Sequence, residues 1–250
     1  LMAIYLVTAH KKGISSYQLG RDLGITQANS WFMLHRIREI LKPKDRELLS
    51  GVVEIDETYL AKKYRSPYKG LPPEEVERLR EESKGINKGA AIGIVQRGGR
   101  AVILAIDSIN KQNVKEAVVK HVSKENTILM TDESHVYKFT LRDYTRETVN
   151  HSKREWKRGN CHTNTVEGLW AVMKRGLYGI YHNVTPKHLQ AYCNEYAYRY
   201  NSRGIKDCNR FVLSLGNIEG RLTYKTLVSE KESKAKDTRS YYRQNKPDSR

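Results

Sequence analysis

Apolar positions in the first 42 residues recur at helical spacing, which predicts three helices. The predicted limits are 1–9, a short helix capped by Ser15 or Ser16 and ending at Leu23, and Gln27 to Leu41, capped by Thr26 and ended before Pro43. Gly24 supplies a tight turn between the second and third helices, as in a helix-turn-helix. A plain helical bundle would give a similar pattern, so both interpretations stay open.

From Val52 the period of the apolar residues changes to that of strands. The predicted strands are 52–60, 90–96, 101–106, 127–131 and 145–150, and the predicted helices that follow the first strand are 73–83, 110–122, 164–175 and 186–200. The segment Arg97 to Arg100 contains two glycines, so it predicts a hairpin turn between the second and third strands. A polar insert, 61–88, separates the first two strands, and no apolar period is visible from about Ser229 onward.

The order of these elements indicates an α/β fold. Three consecutive strands suit an antiparallel meander, and a fourth strand reached through a helix suits a parallel neighbour of the first. This order is RNase H-like, a mixed sheet flanked by helices. We predict a helix-turn-helix domain at 1–45, a catalytic domain at 50–227 that contains the insert, and a mobile basic tail at 228–250.

Three acids stand where this fold would bring them together. Asp56 lies in the first strand, Asp132 ends the fourth, and Glu167 lies in a helix, separated from Asp132 by 34 residues (133–166). Lys174 follows Glu167 by seven residues, so both side chains project from one helical face. Three carboxylates from distant segments can hold two Mg²⁺ ions, with Mn²⁺ as a substitute, for cutting and joining DNA strands. Lys174 and its neighbour Arg175 would then hold a DNA phosphate.

Each of these residues also has an ordinary structural interpretation. Asp56 could be a solvated strand residue, and Asp132 could cap the helix predicted to begin near Ser134. Glu167 stands three residues after Asn164, which fits a capping box. Lys174 could be a solvated surface lysine.

The helix-turn-helix interpretation adds its own candidates for DNA contact. The first turns of the third helix would meet base edges through Gln27, Asn29 and Ser30. Arg36 and Arg38, further along the same helix, would hold phosphates, which position the protein without specifying the sequence.

Charge and cysteine content narrow the class of protein. The chain has 45 Lys and Arg against 28 Asp and Glu, a formal net charge of +17, which favours a polyanionic partner such as DNA. A ribosomal protein or one that binds a membrane surface would show the same imbalance. Its three cysteines form no C-x-x-C pair, so neither a disulfide framework nor a zinc site is expected. No apolar run reaches the roughly 20 residues of a membrane helix, and we expect a cytoplasmic, nucleoid-associated protein with no membrane partner.

Three stretches of the sequence resemble a known family. They are Glu54 to Tyr59, Thr131 to Glu133, and His162 to Trp170 with its continuation through Lys174 to His182. They are similar to the corresponding segments of bacterial insertion-sequence DDE transposases with an ISXO2-like, RNase H-fold integrase domain. The helical start, from Gly13 to Arg38, resembles the DNA-binding helices of the same group.

The resemblance implies that Asp56, Asp132 and Glu167 are the catalytic, metal-binding acids of a DNA transposase, with Lys174 as the accompanying basic residue. It implies terminal inverted repeats and target DNA as partners, and a homodimer or higher assembly when two ends are joined. Members usually carry a zinc ribbon ahead of the helices, and this chain begins after that point, so we expect it to be a fragment. The alternatives are a DNA-binding regulator derived from an inactive transposase and an RNase H-fold nuclease that cuts without joining.

Overall fold

A computed structural model describes residues 1–43, 47–60, 72–82, 89–138, 140–150, 153, 155–182, 184–218 and 222–229. The helices are α1 (Met2–Ala9), α2 (Ser16–Leu23), α3 (Gln27–Ile40), α4 (Pro73–Glu82), α5 (Lys111–His121), α6 (His135–Lys138), α7 (Asn164–Gly176), α8 (Pro186–Asn201), α9 (Asp207–Leu215) and α10 (Tyr224–Val228). The strands are β1 (Leu49–Tyr59), β2 (Ala90–Gln96), β3 (Ala101–Ile106), β4 (Val122–Asp132) and β5 (Thr145–Val149).

The five strands form one mixed sheet in the order β3-β2-β1-β4-β5. Strands β1, β2 and β3 are antiparallel neighbours, whereas β4 runs parallel to both β1 and β5. The predicted α/β fold, an RNase H-like mixed sheet flanked by helices, is therefore confirmed. Strand β1 is the central strand, so its residues have neighbours on both sides.

Each face of the sheet is covered by its own helices, because alternate residues of β1 point to opposite sides. Val53 and Ile55 lie in the core with residues of α5 and α6. The other face packs against α7 and α8, whose apolar residues share a core with Ala91 and Val95 of β2. Glu54 and Asp56 lie on this second face, together with α7.

The N-terminal helices have the predicted limits and caps. Ser15 accepts a hydrogen bond from the Gln18 backbone N–H, and Thr26 accepts one from that of Asn29. Gly24 ends α2 in the left-handed conformation, with φ 64°. The sharp turn that separates α2 from α3 therefore suits glycine.

These helices pack directly on the C-terminal helices. Tyr198 of α8 shares the core of α1–α3, and the Tyr5 ring of α1 meets the Phe211 ring of α9 edge to face. The boundary predicted near residue 45 thus separates two parts of the chain that are in contact. Most of the predicted insert, 61–71 and 83–88, and the tail from 230 lie outside the described residues.

Several elements differ from the sequence prediction: β1 begins at Leu49 rather than Val52, and α9 and α10 were not predicted. Strand β4 begins at Val122 rather than Thr127. Helix α7 continues directly into a π-helical segment, Leu177–Tyr181. Within the residues that the structure describes, no helix is both long and apolar enough to span a lipid bilayer.

Candidate active site

Two of the predicted acids lie on neighbouring parallel strands. Glu54 of β1 pairs with Met130 of β4, and the same register carried two residues further brings Asp56 beside Asp132. Both acids are half-buried. The Asp132 carboxylate accepts a hydrogen bond from the Ser134 backbone N–H at 2.9 Å, the local turn bond that an Asp at a strand end forms readily.

The third acid, Glu167, comes from the first turn of α7 and is exposed. The helix is capped at Thr163 rather than at Asn164. The capping box is therefore wrong: one Glu167 oxygen accepts from the Thr163 hydroxyl at 2.7 Å, and the box would require the backbone N–H of the cap. This contact still ties the Glu167 carboxylate to the start of its own helix.

The negative charges of Asp132 and Glu167 act on the Asp56 carboxylate. Burial raises the pKa of Asp56 to about 6, and the negative charges of Asp132 and Glu167 add to the rise. Hydrogen bonds from the Glu57 backbone and the Trp170 indole oppose it. A cation that binds between carboxylates relieves their repulsion, because it is then the largest local charge.

As the side chains stand, no three His, Cys, Asp or Glu residues in the described part of the chain are arranged to hold a metal ion. The donor chemistry nevertheless fits Mg²⁺, which binds to carboxylate oxygens and retains several waters. Asp56, Asp132 and Glu167 offer only oxygen donors, and the exposed Glu167 side chain has room to change rotamer.

Glu54, which the sequence reasoning did not single out, holds α7 against the sheet. Its carboxylate has no exposed surface, and it accepts from the backbone N–H groups of Thr165 at 2.7 Å and Val166 at 3.0 Å. The Thr165 hydroxyl and Arg97 Nε donate to it as well, at 2.7 and 2.6 Å. A carboxylate at a helix N-terminus satisfies unpaired N–H groups and meets the positive end of the helix dipole.

Arg97 extends the same network into the segment before α7. It donates to the backbone carbonyls of Asn160 at 2.7 Å and His162 at 2.9 Å. His162 Nδ1 lies 3.3 Å from a Glu54 oxygen, so the His162 ring also adjoins this network. The hairpin turn after β2 thus helps to place the helix that carries Glu167.

The sheet and the helices that follow it match a known protein family. The family model described as the ISXO2-like transposase domain matches residues 48–201, more than half of the chain. The chain belongs to this transposase family. The match covers β1 through the end of α8, and so includes all three acids. No curated protein matches the chain.

Lys174 and Arg175 lie near the C-terminal end of α7 in this transposase domain. Lys174 is half-buried and lies two turns from Glu167 on one helical face, whereas Arg175 is exposed. Both positive charges stand in the last turn, where they also complement the helix dipole. Their role in binding phosphate stays a prediction.

The residues predicted to contact DNA from α3 divide into two groups. Gln27, Asn29 and Arg36 are exposed, and the Gln27 amide donates to the Ser16 hydroxyl at 2.9 Å. Ser30 has no exposed surface, and its hydroxyl donates to the Thr26 carbonyl. Ser30 therefore faces the core and not a base edge, which corrects the expectation for this residue.

Arg38 needs the same correction, because it is 1% exposed and points into the protein. Its Nε donates to Glu195 at 2.8 Å, and its guanidinium lies over the rings of Tyr192 and Tyr181, at 3.9 and 5.0 Å from their centroids. A guanidinium held in this way joins α3 to α8 and cannot reach a DNA backbone.

Proposed function

We propose that the protein is a DDE transposase that cleaves DNA at transposon ends and transfers the freed strand into target DNA. The observation that carries this proposal is the grouping of two strand acids and one helix acid, with the pKa of Asp56 raised by burial and by the charges of Asp132 and Glu167. A carboxyl group whose pKa is raised by burial and by neighbouring charges marks a candidate functional site.

Asp56, Asp132 and Glu167 would hold two Mg²⁺ ions, for which Mn²⁺ could substitute. When bound, such ions supply Lewis-acid stabilisation of the charge that develops on the phosphodiester. The oxygen donors and their mutual repulsion support this assignment.

The other residues of the proposed site position DNA. Lys174 and Arg175 would bind phosphates of the strand being cut. Gln27 and Asn29 would meet base edges, and Arg36 would hold a phosphate beside them. A formal net charge of +17 gives the whole molecule an attraction for DNA that counterion release strengthens. Joining two transposon ends would require a homodimer or a higher assembly.

A nicking and strand-transfer assay tests the assignment of the acids. With Mg²⁺ or Mn²⁺, the wild type should nick supercoiled plasmid and join a pre-cut transposon end to it. Asp56→Asn, Asp132→Asn and Glu167→Gln should each lower both activities by at least 10³-fold, since each removes a charge from the site.

Matched controls keep this result specific. Asp143→Asn and Glu116→Gln remove acids that are exposed in the structure and should leave both activities near wild type. Nicking that survives in Asp56→Asn or Asp132→Asn would refute the site. Nicking without joining would favour an RNase H-fold nuclease.

The second candidate function is that of a DNA-binding regulator without cleavage, because the exposed residues of α3 and the net charge of +17 would serve DNA binding alone. Sequence-specific binding to the flanking inverted repeats, with no nicking by the wild type at any divalent ion concentration, would support that function instead.

A further inference from the structure

The Asp56 carboxylate is held by a residue of the helix that carries Glu167. Trp170 Nε1 donates to Asp56 Oδ2 at 3.0 Å. A second hydrogen bond reaches Asp56 from the backbone of Glu57, the next residue in its own strand. The first bond therefore depends on tertiary structure, whereas the second comes with the strand.

The Trp170 ring is placed by the surface of the sheet beneath it. Gly93 of β2 is the direct partner of Asp56 across the antiparallel pair. A Cβ built at Gly93 would lie 2.7 Å from Trp170 Cζ2 and 3.1 Å from Val166 Cγ2. Only a residue without a side chain leaves room for the indole at this point, so Gly93 and Trp170 form a matched pair.

The burial of the indole shows that this contact is not a chance surface pairing. Trp170 is 3% exposed and lies in the core between the sheet and α8. A buried indole N–H normally finds an acceptor, and a charged acceptor gives a stronger hydrogen bond than a neutral one. In this core, the acceptor is the half-buried carboxylate of Asp56.

We propose that Trp170 is a positioning residue that orients the Asp56 carboxylate for divalent metal binding, and that Gly93 is required because it admits the indole. This inference rests on the proposed function. Ligating carboxylates are commonly hydrogen-bonded by residues outside the ligand set, and loss of such a partner typically lowers metal affinity or activity by about 10–100-fold. Helix α7 would thus supply one ligand, Glu167, and orient another.

Metal binding without DNA tests the proposal independently of catalysis. Free Mn²⁺ is measured by electron paramagnetic resonance during titration of the protein with Mn²⁺ alone. Trp170→Phe keeps a ring in the core but removes the N–H, and Gly93→Ala displaces the indole. Each should raise the dissociation constant for Mn²⁺ by about tenfold or more. Trp156→Phe, at an exposed position, should leave it unchanged, and Asp56→Asn should abolish binding.

A spectroscopic measurement on the wild type covers the case in which these variants fail to fold. The three indole N–H groups give three cross-peaks in a ¹H–¹⁵N correlation spectrum, and Trp31→Phe and Trp156→Phe assign that of Trp170 by elimination. Saturating Mg²⁺ should shift the Trp170 peak and leave that of Trp156 in place.

The outcomes separate this inference from the proposed function. If the wild type binds Mn²⁺ and Trp170→Phe binds it equally tightly, or if the Trp170 peak does not respond to Mg²⁺, the positioning role is wrong and the transposase assignment stands. If the wild type binds no divalent ion, both proposals fall.

Discussion

At Glu54, four hydrogen bonds converge on a carboxylate that has no exposed surface. A buried charge costs several kcal/mol unless it is paired and hydrogen-bonded. Here the donors come from Arg97 and from the first turn of α7, so the same contacts that stabilise Glu54 also place Glu167 relative to β1. A residue without a direct chemical role thereby determines the geometry of the site.

A double-mutant cycle measures this arrangement. Glu54→Gln should destabilise the protein by about 3 kcal/mol, because the neutral amide leaves Arg97 without its charged partner. Arg97→Gln should also destabilise it, and the double variant should lose less than the sum, with a coupling of roughly 1–3 kcal/mol. Denaturant unfolding gives these values.

The exposed ion pair between Lys124 and Asp143, 3.2 Å apart, provides the control for that cycle. Neutralising Asp143 should change stability by less than about 1 kcal/mol. Strict additivity of the Glu54 and Arg97 changes would show that the two side chains do not cooperate in holding α7.

The sequence predicts the candidate metal ligands but not the contacts of Glu54 and Trp170, and the difference has a physical reason. Asp56 and Asp132 can be brought together from strand order alone, because neighbouring parallel strands align at one edge. Glu54 and Trp170 act through contacts with residues more than 100 positions away. The available signal was an acid in an apolar strand, two residues before Asp56 and on the same face.

At the scale of elements, α3 has two faces with different roles. Its exposed face carries Gln27, Asn29 and Arg36, and its buried face carries Ser30 and Arg38. The sequence showed an amphipathic helix, but it did not show that α8 would cover the side that holds Arg38. Residue type alone does not distinguish a buried arginine from an exposed one, so only the tertiary contact with Glu195 shows that Arg38 is buried.

The two faces should respond differently to mutation. Arg36→Ala should weaken DNA binding uniformly across sequences and reduce the slope of log K against log salt by about 1, because one phosphate contact is lost. Gln27→Ala and Asn29→Ala should instead reduce the preference for the terminal repeats. Fluorescence anisotropy over a salt series measures both effects.

Arg38→Met should act on stability instead, with a loss of roughly 3–5 kcal/mol in the free energy of unfolding, because Glu195 loses one of its buried partners.

Lys115→Ala, which removes an exposed charge on α5, is the control for non-specific charge in the DNA-binding measurements. An unchanged salt slope in Arg36→Ala would exclude that residue from the DNA interface.

The starts of helices were predictable where the sequence contains a helix-capping residue. Ser15, Thr26 and Asn110 each cap a helix whose start was placed within one residue. The early start of β4 was missed because Ser123 to Asn126 is a polar run without alternation. The π-helical continuation of α7 was missed as well, since a change from α- to π-hydrogen bonding has no period of its own in so short a segment.

Across the whole molecule, buried charges join the N-terminal helices to the transposase domain. Glu195 accepts hydrogen bonds from Arg38, Arg199 and Tyr181. Its arginine partners hold the pKa of Glu195 down to about 2, despite burial that would raise it. Arg199 also donates to the carbonyls of Val7 and His10 at the end of α1.

His35, beside this network, predicts a pH dependence of stability. Burial lowers the pKa of His35 to about 3, and the charges of Arg38 and His188 contribute. The unfolded chain takes up the proton near pH 6.5 and the folded protein only near pH 3. Stability from this residue is therefore present above pH 6.5 and is lost as the pH falls toward 3.

The variant His35→Phe isolates this contribution. It keeps a ring beside Trp31 and Tyr192 and removes the titrating group. Its melting temperature should fall less than that of the wild type between pH 6.5 and 4, by scanning calorimetry. His135→Phe, at an exposed position, should follow the wild type. Identical slopes for His35→Phe and the wild type would contradict the assignment.

The arginine contacts at the end of α1 bear on any attempt to retarget this protein. In a chimera that has other helices in place of residues 1–43, Glu195 would lose its partner Arg38. Arg199 would lose the carbonyls to which it donates hydrogen bonds. Because Glu195 and Arg199 belong to α8, a chimera that keeps these contacts must exchange α8 together with residues 1–43. Residues 1–43 are thus not an interchangeable module, because Glu195 and Arg199 of α8 hold them in place.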